Sequence, residues 1–179
     1  MTEPELPGGI RPATADDVAT IHDLICDLAT YERARDEVKA TPDQLHTALI
    51  GPNPAAYALV AEIDGEVVGC GAVHVLWQDV AEIRTLAVSR DHLGKGVGGH
   101  LMDYLITDAR TYGVRRLFCL TFEIDFFVRH GFEAIDGQAV DQDVYQELLR
   151  SYDEGVAEFL DLSYVKPNTL GNSRMLLRL

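Results

Sequence analysis

Residues 88–101 read VSRDHLGKGVGGHL, with Gly94, Gly96, Gly98 and Gly99 set between an apolar strand-like run, Val80–Val88, and an amphipathic helical pattern, Gly96–Tyr112. That order, strand then glycine loop then helix, constrains the fold more than any other feature of the chain. Glycines at such a junction let the backbone close around an anion, and the first turn of the helix offers unpaired N–H groups with positive dipole character. A diphosphate is the guest such a loop suits. The helix itself is marked by Val97, Leu101, Leu105, Ile106 and Ala109 on one face, with Gly113 as its stop.

Three other readings of the loop are weaker. A phosphate-binding P-loop needs Gly-Lys followed by Ser or Thr, but Lys95 is followed by Gly96. Gly94, Gly96 and Gly99 spell the dinucleotide pattern Gly-x-Gly-x-x-Gly. That turn should start at the strand end, however, whereas Ser89–Leu93 intervene, and it should open its domain rather than lie mid-chain. The plainest reading, glycines that only permit a tight junction, assigns the loop no ligand.

The rest of the chain reads as strands first and a β–α–β crossover later, a mixed α/β sheet. Ile10–Pro12 is a short edge strand. Thr14 or Asp16 caps a helix with Val18, Ile21, Leu24, Ile25 and Leu28 at helical spacing. Thr41 caps a second helix starting at Pro42, which Gly51-Pro52-Asn53-Pro54 ends. Tyr57–Ile63 and Val67–Leu76 form a hairpin about Asp64-Gly65, a tight-turn signal. Leu117–Thr121 is a strand, Asp125–His130 a short helix, Phe132–Ile135 a strand, Asp141–Arg150 a helix and Arg174–Leu179 a closing strand.

With 179 residues, 47% of them apolar, the chain is expected to hold one domain over residues 10–179, preceded by a loose tail, residues 1–9. That tail lacks the basic and apolar stretches of a signal peptide, and no apolar run nears the roughly 20 residues of a membrane span. Cys26, Cys70 and Cys119 are far apart and each lies in an apolar stretch, so buried free thiols in a reducing cytoplasm are expected. Neither they nor the six histidines have metal-site spacing. No metal is expected. The formal net charge of −14 disfavours nucleic acid as a partner. It does not bar a phosphorylated ligand from a cleft that carries local cations.

Residues 82–101 resemble the core of the GNAT acetyltransferases, a strand, an R/Q-x-x-G-x-G/A loop and a helix, and Arg129–Phe132 (RHGF) resembles the Gly-Phe that follows their last core helix. The resemblance implies the GNAT fold: a mixed, mostly antiparallel central sheet flanked by helices, with the β–α crossover holding acetyl-CoA as cosubstrate. It implies that the backbone of Leu86, Ala87 and Val88 pairs with the pantetheine arm. It also implies that Leu93, Gly94, Lys95, Gly96, Val97, Gly98 and Gly99 hold the pyrophosphate. Leu93 departs from the pattern, standing where Arg or Gln is commonest, which costs one side-chain contact.

From Val67 onward the chain is similar to short amino-acid N-acetyltransferases of the N-acetylglutamate synthase type. VGCGAVHVLWQDVAEIRTLAV, LTFEIDFFVRHGF and RSYDEGVAEFLDLSYVKPNTLGNSRMLL carry that likeness. It implies acetylation of glutamate, the first step of arginine biosynthesis. Residues 10–66 look more like polyamine- or diamine-type GNAT enzymes, which leaves a polyamine as the alternative acceptor. A third class, a non-catalytic acyl-CoA-binding module, has only Phe127 to support it. That residue occupies the position where GNAT enzymes often place a tyrosine acid.

The chemistry requires a base, because an amine attacks a thioester only when neutral. Glu82 is the candidate, on the strand that runs into the loop, where the resemblance also puts a catalytic glutamate. The competing reading is an ordinary strand carboxylate. If Glu82 is partly buried, its pKa is expected to rise. Thr121, Cys119, Tyr112 or a water could protonate the thiolate. An acidic acceptor wants cations, and Arg84, Lys39 and Arg174 are the candidates, each with a surface or structural cation as the alternative. Ser163–Ser173, with Tyr164 and Lys166, is a lid or merely a connection. Phe126 and Phe127 are core or acyl-pocket wall. The partner is a small amine, with no nucleic acid and no membrane, and a homodimer is the base-rate assembly.

Overall fold

The computed structural model describes residues 9–33, 35–137, 140, 142–150 and 173–179, which fall into two compact units. The first takes in residues up to His74 together with Ile83–Asp108, and the second Val75–Glu82 together with Ala109–Leu179.

The first unit begins with β1 (Ile10–Pro12), followed by α1 (Val18–Tyr31), α2 (Pro42–Ile50), β2 (Ala56–Ile63) and β3 (Glu66–Val75). Both helix starts follow from local side-chain chemistry. Thr14, rather than Asp16, opens the first: its N–H and hydroxyl both donate to Asp17 Oδ2, at 2.7 and 2.9 Å, across a 3-10 turn that leads into α1. Thr41 caps α2 through a reciprocal pair, Gln44 N–H to Thr41 Oγ1 at 3.3 Å and Thr41 N–H to Gln44 Oε1 at 3.0 Å. These bonds satisfy N–H groups that no helical carbonyl can reach. The hairpin between β2 and β3 turns on Asp64 (φ +53°) and Gly65 (φ +83°), two consecutive left-handed residues that match the twist of an antiparallel pair.

One core cluster of this unit joins α1 to the sheet through Ile21, Leu24, Val60, Cys70 and Ala87, with Leu45 and Leu49 of α2 packed against it. All five are at most 5% exposed, as the helical spacing of α1 requires of Ile21 and Leu24.

β4 (Val80–Val88) runs through both units. In the first, the sheet order is β1-β2-β3-β4. In the second it is β4-β5-β7-β6, built from β5 (Arg116–Thr121), β6 (Glu133–Ala134) and β7 (Ser173–Arg178). The β4–β5 pair is parallel, with Glu82 opposite Phe118, while β5–β7 and β6–β7 are antiparallel. The parallel step requires a crossover, and α3 (Val97–Thr111) supplies it. The remaining helices are α4 (Ile124–Arg129) and α5 (Gln142–Leu148), the latter packing Val144, Tyr145 and Leu148 against Val80, Phe118 and Leu176. Arg116 Nη2 is held by Asp79 at 3.0 Å where β5 begins.

Among the described residues every expected strand and helix is present, with ends shifted by a residue or two. Asp141 and residues 151–172, including Tyr164 and Lys166, lie outside the described residues, as do residues 1–8. The three cysteines are free and buried.

Candidate active site

The expected coenzyme segments are contiguous in the first unit. Leu86, Ala87 and Val88 end β4, a 3-10 turn covers Arg90–His92, and Gly98 and Gly99 lie in the first turn of α3. Gly94 and Gly96 adopt φ of +74° and +85°, conformations that L side chains resist. They fold the loop back on itself, and the first-turn N–H groups of α3 lack intrahelical carbonyls and suit an anion. Lys95 is exposed, as is Leu93 at 61%. A leucine this open offers no charge to an anion, whereas the exposed Lys95 and the first-turn N–H groups of α3 do. Ser89 Oγ and His92 Nδ1 lie 2.9 Å apart, and Ser89 N–H donates to the Val68 carbonyl at 2.8 Å, which fastens the loop's entrance to β3.

Inside β4, Thr85 has φ of +52°. A β-branched residue in the left-handed region costs on the order of 1–3 kcal/mol, a strain typical of functional sites. Cys70 Sγ donates to the Thr85 carbonyl at 3.5 Å and so helps hold the irregularity. It falls immediately before the Leu86–Val88 segment. No pattern in the sequence announces it, because threonine is an ordinary strand residue.

Glu82 lies in the second unit, 5% exposed, at the end of the β4–β5 pairing, opposite Phe118. It is therefore not an ordinary surface carboxylate; a carboxylate this deep has interaction partners or a function. Burial first, and the Glu82 charge second, hold the Cys119 thiol well above its ordinary range. Burial likewise pushes Cys70 up to about 12, against a smaller opposing contribution from the Ala87 backbone. Both thiols stay neutral at physiological pH, so neither is a nucleophile. Thr121, also buried, accepts the Glu123 N–H through Oγ1 at 2.9 Å, which leaves its hydroxyl proton available to another acceptor.

The cations expected at the acceptor are placed differently from one another. Arg84 is half-buried on β4, and Lys39 is exposed in the connection from α1 to α2. That connection is tied to α1 where His22 Nε2 meets the Ala40 carbonyl at 3.0 Å. Arg174, on β7 in the second unit, spends one N–H on the Gly137 carbonyl at 3.2 Å. Phe127 is buried and stacks edge-to-face on Phe126 and Phe132, so its ring is core. Among the described residues no group of His, Cys, Asp and Glu is placed to hold a metal, and no helix is long and apolar enough to cross a membrane.

Residues 18–132 match the acetyltransferase (GNAT) family. An amino-acid acetyltransferase from Mycobacterium tuberculosis is 46% identical over 168 residues, covering 94% of this chain and 92% of the relative. A solved structure from Mycobacterium tuberculosis, in complex with CoA and NLQ, has 45% identity and a TM-score of 0.78, covering 95% of this chain and 98% of that one. The N-acetylglutamate synthase of Neisseria gonorrhoeae, complexed with coenzyme A and N-acetyl-glutamate, shares the fold at a TM-score of 0.71 and 23% identity, this chain matching 36% of its length. On the family match and on near full-length identity, this chain belongs to the GNAT family and is an acetyl-CoA-dependent acetyltransferase.

Proposed function

We propose that the enzyme acetylates the α-amine of an amino acid and that the acceptor is L-glutamate, which would place it at the first step of arginine biosynthesis. The single observation that carries this reading is the burial of Glu82 on β4, in a chain 46% identical to an amino-acid acetyltransferase. A carboxylate removed from bulk water and placed on the strand that leads to the coenzyme loop is suited to accept a proton from an incoming ammonium.

In this mechanism Glu82 takes one proton from the acceptor amine, directly or through a water. The nitrogen lone pair then attacks the thioester carbonyl and forms the C–N bond. The tetrahedral intermediate collapses with cleavage of the C–S bond, and the second proton of the nitrogen passes to the departing thiolate. With Phe127 carrying no hydroxyl, Thr121 or a water relays that proton. Leu86–Val88 pair with the pantetheine arm, and Gly94–Gly99 with Lys95 cradle the pyrophosphate. Arg84, Lys39 and Arg174 serve the two carboxylates of glutamate, for which a guanidinium offers paired hydrogen bonds. The reading includes a single catalytic domain over residues 10–179, a cytoplasmic location close to the acetyl-CoA pool and a homodimeric assembly, with neither nucleic acid nor membrane as partner.

The test is thiol release from acetyl-CoA with glutamate, glutamine, aspartate, lysine and spermidine in parallel. Selective turnover of glutamate is expected, with KM for glutamate raised at least tenfold in Arg84→Ala and KM for acetyl-CoA little changed. Turnover of spermidine alone would transfer the acceptor assignment to a polyamine. CoA binding without turnover of any amine would make the chain a binding module.

A further inference from the structure

β3 carries two glycines, Gly69 and Gly71, on either side of Cys70. Cys70 belongs to the cluster that faces α1. Its two neighbours face the other way, toward α3. A Cβ at Gly69 would lie 3.0 Å from Leu101 Cδ1, 3.2 Å from Val97 Cγ1 and 3.1 Å from the Ala87 carbonyl oxygen. A Cβ at Gly71 would lie 2.7 Å from Leu105 Cδ1 and 3.1 Å from Leu86 Cδ1. Val97, Leu101 and Leu105 are spaced by four, so they form one ridge along α3. The ridge sinks into a groove that exists only because two successive outward positions of β3 have no side chain. Gly69 and Gly71 have ordinary φ, so backbone conformation does not require glycine at either position. Close approach does.

The ridge is fully packed. Leu101 and Leu105 are 0% exposed and Val97 is 9% exposed. A methyl group added at the bottom of the groove therefore cannot be absorbed by rotation into solvent. At Gly71 it presses on the ends of the Leu105 and Leu86 side chains, and at Gly69 it also meets the Ala87 backbone carbonyl, so the ridge of α3 or the end of β4 shifts to make room. Both responses act on the coenzyme segments: α3 presents Gly98 and Gly99 at its first turn, and Leu86 and Ala87 belong to the strand segment assigned to pantetheine.

We propose that Gly69 and Gly71 are positioning residues that set the seat of α3 on β3, and with it the geometry that binds acetyl-CoA. The assignment rests on the coenzyme-loop reading given above. Neither glycine belongs to the segments assigned to the coenzyme. They act through Val97, Leu101, Leu105, Leu86 and the Ala87 carbonyl.

The experiment is isothermal titration of CoA into the intact protein, alongside steady-state kinetics and thermal unfolding. Gly71→Ala is expected to raise the Kd for CoA and the KM for acetyl-CoA about tenfold, with kcat at saturating coenzyme within about twofold. Gly71→Ala/Leu105→Val moves one methylene from helix to strand and is expected to restore Kd to within about twofold of the wild type. Leu105→Val alone serves as the control. A lowered Tm with unchanged Kd in Gly71→Ala, or failure of the double variant to recover affinity, would overturn the proposal. If Gly71→Ala does not fold, Gly69→Ala presses on the same ridge and is expected to raise Kd at least as much; an unchanged Kd there overturns the proposal equally. The underlying site reading is tested separately by Gly96→Ala, which lies in the loop and not in the groove. Unchanged CoA affinity in Gly96→Ala would refute the loop assignment whatever the groove variants do.

Discussion

The two units offer the proposed reaction different kinds of group. In the first, what the loop after β4 offers a ligand is main chain: Gly94 and Gly96 supply left-handed turns, and α3 supplies a first turn of N–H groups. On the proposed reading side-chain identity matters little there, and an exposed leucine stands at position 93. In the second, Glu82, Cys119 and Thr121 are all buried, and what each does depends on what surrounds it. A main-chain site tolerates change of side chains but not of backbone conformation. A buried side-chain site has the opposite tolerance.

The sharpest way to break this contrast is Glu82→Gln. It preserves shape and removes the proton acceptor, so kcat/KM should fall by roughly 10²–10⁴ while the Kd for CoA stays within about twofold. Equal losses in both quantities would mean that Glu82 supports the fold and not the proton transfer. Steady-state kinetics with CoA titration separates the two outcomes.

A second test asks whether the first unit has a critical side-chain site of its own. Arg11 donates to both Asp17 oxygens, at 2.7 and 2.9 Å, and to Glu62 Oε2 at 3.0 Å, tying β1, β2 and the start of α1. Those bonds hold the Asp17 carboxyl at about 2. Because its folded pKa lies below its unfolded one, the stabilisation is complete above about pH 4 and is lost as pH falls toward 2. Asp17→Asn should cost on the order of 2 kcal/mol at pH 7 and flatten the acid limb of stability between pH 4 and 2, as measured by urea unfolding.

Gly96→Ala sharpens the backbone half of the comparison. Forcing an L side chain to φ +85° costs about 1–2 kcal/mol, so CoA affinity should fall about tenfold with little change in kcat. Lys95→Ala, by contrast, should cost less than threefold at physiological salt, since an exposed cation is well screened. A loss from Lys95→Ala that exceeds the loss from Gly96→Ala would reverse the main-chain argument. The smallest effect is expected at Thr41→Ala, about 1 kcal/mol of stability from the lost α2 cap, with no change in CoA binding.

Much of the fold was legible because its signals are local. The four-residue spacing of α1 and α3, the Thr41-Pro42 start of α2, the Asp64-Gly65 turn and the Gly113 stop each report on a few neighbouring residues. The site was legible to a lesser degree. Glycines mark the loop proposed to hold the coenzyme because few other residues reach φ near +80°, but Thr85 at φ +52° gives no such notice, being a common strand residue held by packing and by Cys70. The groove beneath α3 was equally silent. Gly69 and Gly71 fit any strand pattern until Leu101 and Leu105 are seen to occupy the space of their missing side chains.

The sequence by itself determined the order of elements, the glycine loop and the family, since each depends on residue types at short, fixed spacing. Only the tertiary structure decided that Glu82 is buried, that Cys70 and Cys119 are held neutral, that the Phe127 ring is core and that α3 rests in a cleft of glycines. Burial and close approach are made by residues distant in the chain, and no local pattern encodes the distance between them.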